Sequence, residues 1–418
     1  MKAQSSKKSF TGETVALIDL CNAVSDCPHY TPNWTEEGKL VVRNFNIKGG
    51  RLDLTEKHFT DEETFNDRIR RHKPESGDLI ISREAPMGEV CIIPDNVECC
   101  LGQRTVLIKP NKKKVNNLFL LYSIISDFVQ HQIKKSDGSG SIVSNLCIPD
   151  LEQLRIPVIE INEQNKIANV LSSLDKKIEL NLKVAEELNV MAESIYNYWF
   201  VQFDFPDEEG KPYKTSGGKM EYNEDLKREI PKGWDVILLQ NYLEFERGIE
   251  PGSENYFDKP SNDLIPFFKV GGMDGETDVW ISEEVAGDSL TKEDDILISL
   301  DGSVGRIAIG LNGSYSTGIR KVYPKKGFFP KSYIYILLYS EEIQKTIKKN
   351  ATGSNILHAA KALDYMNAPY NEDVVRLLDA KCSDIFTRLL HIKKENQELI
   401  TLRDFLLPLL MNGQVKVR

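Results

Sequence analysis

The chain has 418 residues, 40% hydrophobic and 28% charged. That is the composition of a globular protein, not of a disordered or fibrous one, and at roughly 100–200 residues per domain it leaves room for two to four units. The net charge of −10, from 53 basic and 63 acidic residues, argues against broad non-specific nucleic-acid binding, and no stretch approaches the ~18 uncharged apolar residues of a membrane-spanning helix.

The chain opens on the basic run Met1-Lys2-Ala3-Gln4-Ser5-Ser6-Lys7-Lys8, which no apolar segment follows, so it does not read as a secretory signal; the expected compartment is the cytoplasm. Residues 1–150 hold 20 Lys+Arg and 20 Asp+Glu, which leaves a local basic face open in an acidic chain. Short β-like runs come first: Leu79-Ile80-Ile81, Val90-Cys91-Ile92-Ile93 and Thr105-Val106-Leu107-Ile108. A helical segment follows near 116–134. Then Leu171, Leu174, Ile178, Ala185, Leu188, Ala192, Ile195 and Trp199 recur at 3–4 spacing, with Asn181 interrupting, and predict a long helix over 160–203. Residues 204–230 are polar and Pro/Gly-rich and read as an exposed connector.

The pattern then repeats. Asp294-Asp295-Ile296-Leu297-Ile298-Ser299 restates Gly77-Asp78-Leu79-Ile80-Ile81-Ser82 at an offset of 217. Gly318-Ile319-Arg320 follows Gly102-Gln103-Arg104, Leu337-Leu338-Tyr339-Ser340 follows Leu120-Leu121-Tyr122-Ser123, and Ile347-Lys348-Lys349 follows Ile133-Lys134-Lys135. Gly353-Ser354 and Pro369 match Gly140-Ser141 and Pro157. A second seam, Leu378, Cys382, Ile385, Leu389, Ile392, Leu399, Leu406 and Leu410, is interrupted by Asn396 and predicts a helix over 372–412. A helix of ~40 residues is ~60 Å long, too long to hide in one small globule. The predicted fold is therefore mixed α/β (α+β): two pseudo-repeated globules joined by two long helices that form an antiparallel coiled coil. The alternative is that each helix packs only on its own globule. Residues Leu171, Leu174, Ile178, Leu188, Ile195, Ile385, Leu389, Ile392, Leu399 and Leu406 would form the interface, and one Asn per seam would restrict register. Paired heads suit a ligand with two sites at a set separation, duplex DNA with two half-sites above all.

These residues carry a family resemblance. Pro157-Val158-Ile159-Glu160, Glu163-Gln164-Asn165-Lys166-Ile167-Ala168, Leu171-Ser172-Ser173-Leu174-Asp175-Lys176-Lys177-Ile178 and Ser194-Ile195-Tyr196-Asn197-Tyr198-Trp199-Phe200 resemble the central region of type I restriction–modification specificity subunits. Pro231-Lys232-Gly233-Trp234 resembles the start of that family's target recognition domain, and Leu402-Arg403-Asp404-Phe405-Leu406-Leu407-Pro408-Leu409-Leu410 through Gly413 resembles its C-terminal signature. The first globule lacks the Pro-x-Gly-Trp start, and the second helix carries Glu372-Asp373-Val374-Val375 in place of Glu-Gln-x-x-Ile-Ala. The resemblance implies target recognition domains over 1–159 and 231–371, spacer helices over 160–203 and 372–412, a connector over 204–230 and a tail over 413–418. It implies a subunit that is non-catalytic by itself and reads a bipartite double-stranded DNA target. Two modification (methyltransferase) subunits would dock on the helices and bring S-adenosylmethionine. Restriction (translocase/endonuclease) subunits, where present, would bring ATP and Mg. No cofactor would bind this chain directly, and no membrane partner is implied.

The chemistry motifs agree. Asn367-Ala368-Pro369-Tyr370 resembles the Asn-Pro-Pro-Tyr loop of adenine N6-methyltransferases, but Pro369 aligns with Pro157, where no such motif stands, so the stretch reads as the globule-to-helix turn. No P-loop and no dinucleotide fingerprint occur. The seven cysteines (21, 27, 91, 99, 100, 147, 382) form no C-x-x-C and read as reduced, mostly buried thiols; no metal site is expected. The six histidines (29, 58, 72, 131, 358, 391) are isolated and read as packing or surface residues. Candidate DNA contacts follow residue type and repeat position, since Arg reads guanine, Asn and Gln read adenine, and Lys and Ser hold phosphates. Arg43, Asn44, Lys48 and Arg51 form a basic cluster in a loop, with Lys269, before Gly271-Gly272, as the counterpart of that cluster. Gln103 and Arg104 are expected to match Arg320 and Lys321, and Ser139, Ser141, Ser354 and Asn355 lie in matched Gly/Ser loops.

Overall fold

The apolar runs read as strands do form them, and their burial explains the lack of polar alternation. Leu79–Ser82 is buried at every position, the mark of a strand covered on both faces. Leu79 and Ile81 pack with Phe119, Leu120, Val129 and Ile133 of the following helices, while Ile80 points the other way, against Val42, Cys91 and Leu101. Each such side chain contributes ~1.5–3 kcal/mol by leaving water. The computed structural model describes residues 12–84, 86–136, 145–354 and 356–417. They form two units, Met1–Lys177 with Leu399–Arg418, and Ile178–Glu398.

In the first unit, a four-stranded antiparallel sheet runs in the order Cys21–Asp26, Thr105–Pro110, Leu79–Ser82, Val90–Ile92. Helices Asn117–Ile125 and Asp127–Ser136 cover one face. A second sheet has the order Cys99–Leu101, Lys39–Val42, Phe59–Thr60, Trp34–Thr35, its first two strands being parallel. Thr14–Ala16 pairs with Arg155–Pro157, the strand that leads into the first long helix.

The second unit repeats this plan, except that in its second sheet, ordered Trp280–Ser282, Leu264–Phe268, Gly313–Tyr315, Leu290–Thr291, the fourth strand lies on the other edge. Its central sheet is Leu243–Arg247, Ile319–Pro324, Ile296–Ser299, Ile307–Ala308, and its helices are Lys331–Tyr339 and Glu341–Lys349. Leu264–Phe268 and Gly313–Tyr315 make the parallel pair, and Asp235–Leu238 pairs with Asn367–Tyr370. The register corrects one expectation. Ser82 pairs with Thr105 and Ser299 with Ile319, so the offset falls from 217 to 214 between these strands. Arg104, whose carbonyl accepts from Arg83 N, is equivalent to Gly318, which accepts from Leu300 N; it is not equivalent to Arg320. The Leu-Leu-Tyr-Ser match is out of step by the same three residues, since Ser126 and Ser340 are the pair that donate to the carbonyls of Ser123 and Leu337.

The long helices are Ile161–Tyr196 and Glu372–Met411. Each unit holds a stretch of both, so each helix meets the other as well as its own globule. In the first unit Ile167, Ala168 and Leu171 share a core with Leu407, Leu410 and Met411. Lys166 Nζ reaches the carbonyl of Val417 at 3.3 Å and Arg403 Nη1 reaches Asp175 Oδ1 at 3.1 Å, an antiparallel order. In the second unit Asn181 Nδ2 donates to Asn396 Oδ1 at 2.8 Å, both residues being 6% exposed. Tyr335 bonds Asn189 and packs edge-on against Phe386, again antiparallel. Of the expected interface, Leu171, Ile178, Ile385 and Leu389 are buried, and Leu174, Leu188, Ile195, Ile392, Leu399 and Leu406 are half-buried.

Residues 204–230, expected as an exposed connector, are folded onto the second unit. Met220–Asn223 and Arg228–Pro231 form a hairpin, and Phe203, Phe205 and Ile230 are buried with Trp234, Phe200 and Tyr196. Aromatic residues at the ends of the polar run provide that anchor. Among the cysteines, 27, 91, 99, 100 and 382 are buried, 21 is half-buried and 147 exposed, all as free thiols; burial pushes Cys91 and Cys99 up to about 12.

The Asn181–Asn396 bond makes the helix pairing testable. Asn181→Leu alone strands the Asn396 amide and is expected to cost ~1–3 kcal/mol, whereas Asn181→Leu with Asn396→Leu recovers most of it. Chemical denaturation of the full chain measures both; equal losses in the single and double variants would show that the amide pair sets nothing.

Candidate nucleic-acid interface

The strongest feature of the site is a cation held on aromatic rings at the same point of both globules. Val42 O accepts from Gly102 N, and Phe268 O accepts from Ser316 N. The residues that follow, Arg43 and Lys269, both have extended backbone and both precede a short 3-10 turn. They are structural equivalents, so Lys269, expected as a counterpart of the basic cluster as a whole, answers its first residue. The Arg43 guanidinium lies over Phe45 (4.8 Å) and Trp34 (5.4 Å). Lys269 Nζ lies over Tyr256 at 4.5 Å. A cation–π contact gives ~0.5–1 kcal/mol at an exposed site and holds a long side chain ready at little further entropic cost. Asn44 opens the turn after Arg43.

Most other candidates are engaged within the protein. Lys48 Nζ bonds Asp53 at 2.6 Å and holds that carboxyl down at about 2, helped by Thr55. Arg51 Nη2 donates to Asp175 O at 2.5 Å, and Asp175 also receives Tyr122 Oη at 2.6 Å and Arg403. That network ties the first globule's loop and helix to both long helices, so Arg51 acts as a brace. Gln103 Nε2 donates to His29 O at 2.5 Å. Arg104 pairs with Glu84 at 3.1 Å, in a left-handed turn at φ 68°. Lys321 Nζ bonds Leu290 O at 2.9 Å and Glu246 at 3.3 Å. Arg320 is buried, donating to the carbonyls of Thr317 and Ile319. Ser354 is exposed. Ser139, Ser141 and Asn355 lie outside the described residues.

Two features escaped the sequence reading. The run Arg68-Ile69-Arg70-Arg71-His72-Lys73 splits by burial. Arg68 is a buried brace that donates to the carbonyls of Leu101, Tyr30 and Pro28 at 2.8–3.2 Å. Arg70, Arg71 and His72 are exposed and line one concavity with His29 and Leu101. A count of basic residues in a short window would have found it. Arg247, exposed at the end of its strand, gave no such signal.

Asn367-Ala368-Pro369-Tyr370 is a strand, paired with Asp235–Leu238. Tyr370 stacks on Phe329 at 5.0 Å and donates to Phe328 O at 3.1 Å, so its ring is committed to the core. Among the described residues no group of three or more His, Cys, Asp or Glu side chains is arranged to hold a metal, and no helix is long and apolar enough to cross a membrane.

Comparison with known proteins agrees with this geometry. The family described as type I restriction modification DNA specificity domain matches residues 13–190, which are the first globule and most of the first long helix. The MjaIX type I restriction enzyme specificity subunit of Methanocaldococcus jannaschii is 28% identical, over 82% of this chain and 78% of its own length. The HindI specificity subunit of Haemophilus influenzae is 20% identical, over 81% and 86%. The crystal structure of a type I restriction–modification S subunit from M. genitalium is 19% identical and covers 98% of each chain, with a TM-score of 0.49. Over residues 13–190 the chain matches the type I restriction modification DNA specificity domain, and over most of its length it is similar in sequence to type I restriction enzyme specificity subunits.

Proposed function

We propose that this chain gives a type I restriction–modification complex its DNA sequence, each globule reading one half of a split target and the long helices setting the gap. The observation that carries this reading is the duplicated cation, Arg43 in one globule and Lys269 in the other, each seated on aromatic rings at an equivalent position. An arginine so held can meet a guanine edge with two parallel bonds, and a lysine can meet the same acceptors. The chain is non-catalytic by itself. Methyl transfer belongs to two modification subunits that carry S-adenosylmethionine. Cleavage, where it occurs, belongs to restriction subunits that use ATP and Mg. The complex works in the cytoplasm. Exposed apolar side chains on the long helices support protein docking there: Leu180, Val184 and Met191 on the first, Leu402 and Phe405 on the second.

Three tests follow from the separate parts of this reading. Arg43→Ala is expected to relax the methylated sequence in one half of the target and Lys269→Ala in the other, each by ~1–3 kcal/mol of discrimination. Single-molecule methylome sequencing of a host carrying each variant reads this directly, and a change in both halves from one substitution would contradict independent readers. Adding about four residues to each long helix lengthens it by ~6 Å. At ~3.4 Å per base pair the gap should then grow by about one to two base pairs with both halves kept. An unchanged gap would remove the ruler role. Methyl transfer by the purified chain alone would overturn its non-catalytic part.

A further inference from the structure

The two globules share a scaffold but differ in charge at one matched pair of positions. In the first, Val106 is paired across the sheet with Asp26. Asp26 takes the half-buried Arg83 with both carboxylate oxygens, at 2.7 and 2.9 Å, so the basic side chain there is paired with an acid. In the second, the equivalent pair is Arg320 opposite Arg247. An arginine thus stands where the first globule has its acid. Arg83 itself is replaced by Leu300, as the bonds from Arg83 N and Leu300 N to the next strand show.

Directly opposed side chains of an antiparallel pair have Cβ atoms ~4.5–5.5 Å apart, and like charges placed so are destabilising. Arg320 is 7% exposed. Among the described residues its one ion-pair partner is Asp301, at 3.9 Å, and the other oxygen of Asp301 is taken by His358 Nδ1 at 2.7 Å. Burial holds the Arg320 guanidinium below its ordinary value and Arg247 adds to this, while Asp301 and Tyr315 act the other way. Arg247 is exposed and, among the described residues, joins no ion pair. The strand beyond it is pressed against the turn that carries the Lys269 region: a Cβ on Gly248 would lie 2.2 Å from Tyr315 O and 2.4 Å from Ser316 O, and Ser316 N bonds Phe268 O, next to Lys269. Arg247 and Lys269 are thus each one residue removed from the backbone contact at Tyr315–Ser316, and Arg247 shares its sheet face with the buried Arg320.

We propose that Arg247, backed by Arg320, is a phosphate site of the second globule with no counterpart in the first. Arg247 touches the anion, and Arg320 is a positioning residue that adds positive field from behind. The chemistry recognised is a phosphate oxyanion, and the inference rests on the DNA-reading function in taking the duplex backbone as its source. A half-target read by the second globule is then held by one more backbone contact at this point than the half read by the first.

The test uses the full chain and a duplex carrying its methylated target, titrated between 50 and 200 mM salt. Arg247→Gln is expected to reduce the slope of log affinity against log salt by ~0.9, the value of one phosphate contact, and to weaken all half-site variants alike. Arg247→Lys is expected to keep the slope. In phosphate-free buffer Arg247→Gln should melt at or above the unsubstituted chain, because a like-charge pair is relieved; a lower melting temperature would overturn the unbalanced charge. Inorganic phosphate separates the two sources. If it raises the melting temperature of the unsubstituted chain but not of Arg247→Gln while the DNA slope is unchanged, the site takes free phosphate and its assignment to the duplex is overturned. An unchanged slope with no phosphate response overturns the site altogether. A chain whose DNA affinity never varied with salt would fail earlier, at the DNA-reading function itself.

Discussion

One amide-to-amide hydrogen bond, from Asn181 to Asn396, sits within an otherwise apolar helix seam. Leucines in its place would bury more apolar surface, so its value lies in what it forbids. Sliding either helix by a residue strands two buried amides at ~1–3 kcal/mol each, whereas an all-leucine seam would tolerate several registers. The Asp175 network fixes the same pairing in the other unit with charges, since Arg403, Tyr122 and Arg51 all converge on one carboxylate or its carbonyl. If the chain measures a gap, as proposed, its helices must not slip, and both devices oppose slippage.

Around this constraint the chain uses one scaffold twice and varies its contents. Strands Leu79–Ser82 and Ile296–Ser299 are buried on both faces in the same way, and both globules carry a cation on aromatic rings after their parallel strand pair. The equal backbone positions then carry different chemistry: arginine against lysine at that cation, and aspartate against arginine on the neighbouring strand. Core positions set the fold and tolerate little change. Surface positions at the turn are free to differ, so two copies of one fold present two different surfaces, as the proposed reading of two half-targets requires.

The repeat, the buried strands, the long helices and a second-globule counterpart, Lys269, of the first basic cluster were legible because periodicity and order survive duplication; that it answers Arg43 in particular came from the strand register. The register past the second strand was not. Leu120-Leu121-Tyr122-Ser123 and Leu337-Leu338-Tyr339-Ser340 match in letters but differ by three residues in place, because the loop between Val90–Ile92 and Thr105–Pro110 is three residues longer in step count than its partner. Residues 204–230 look like a tether by composition, yet Phe203 and Phe205 anchor them in a core that only tertiary packing creates. The basic candidates share a feature that the linear sequence does not display. Lys48, Arg51, Arg104 and Lys321 are each taken by a carboxylate or carbonyl of their own unit, and those partners lie up to 124 residues away. Arg247 was missed in the same way: its meaning comes from the residue across the sheet, which no linear pattern displays.

The first unit is built from two distant pieces of chain, since Leu407, Leu410 and Met411 complete the core that begins at Leu17. During synthesis on the ribosome the chain grows at ~5–20 residues per second. The amino-terminal globule must therefore wait for the entire second globule to be made before its own last helix arrives. Closing so long a loop is slow, and until it happens apolar surface on Ile167, Ala168 and Leu171 stays open. A cell making this chain thus faces an interval in which the globule made first is finished last, and a chaperone that shields that face would shorten the danger.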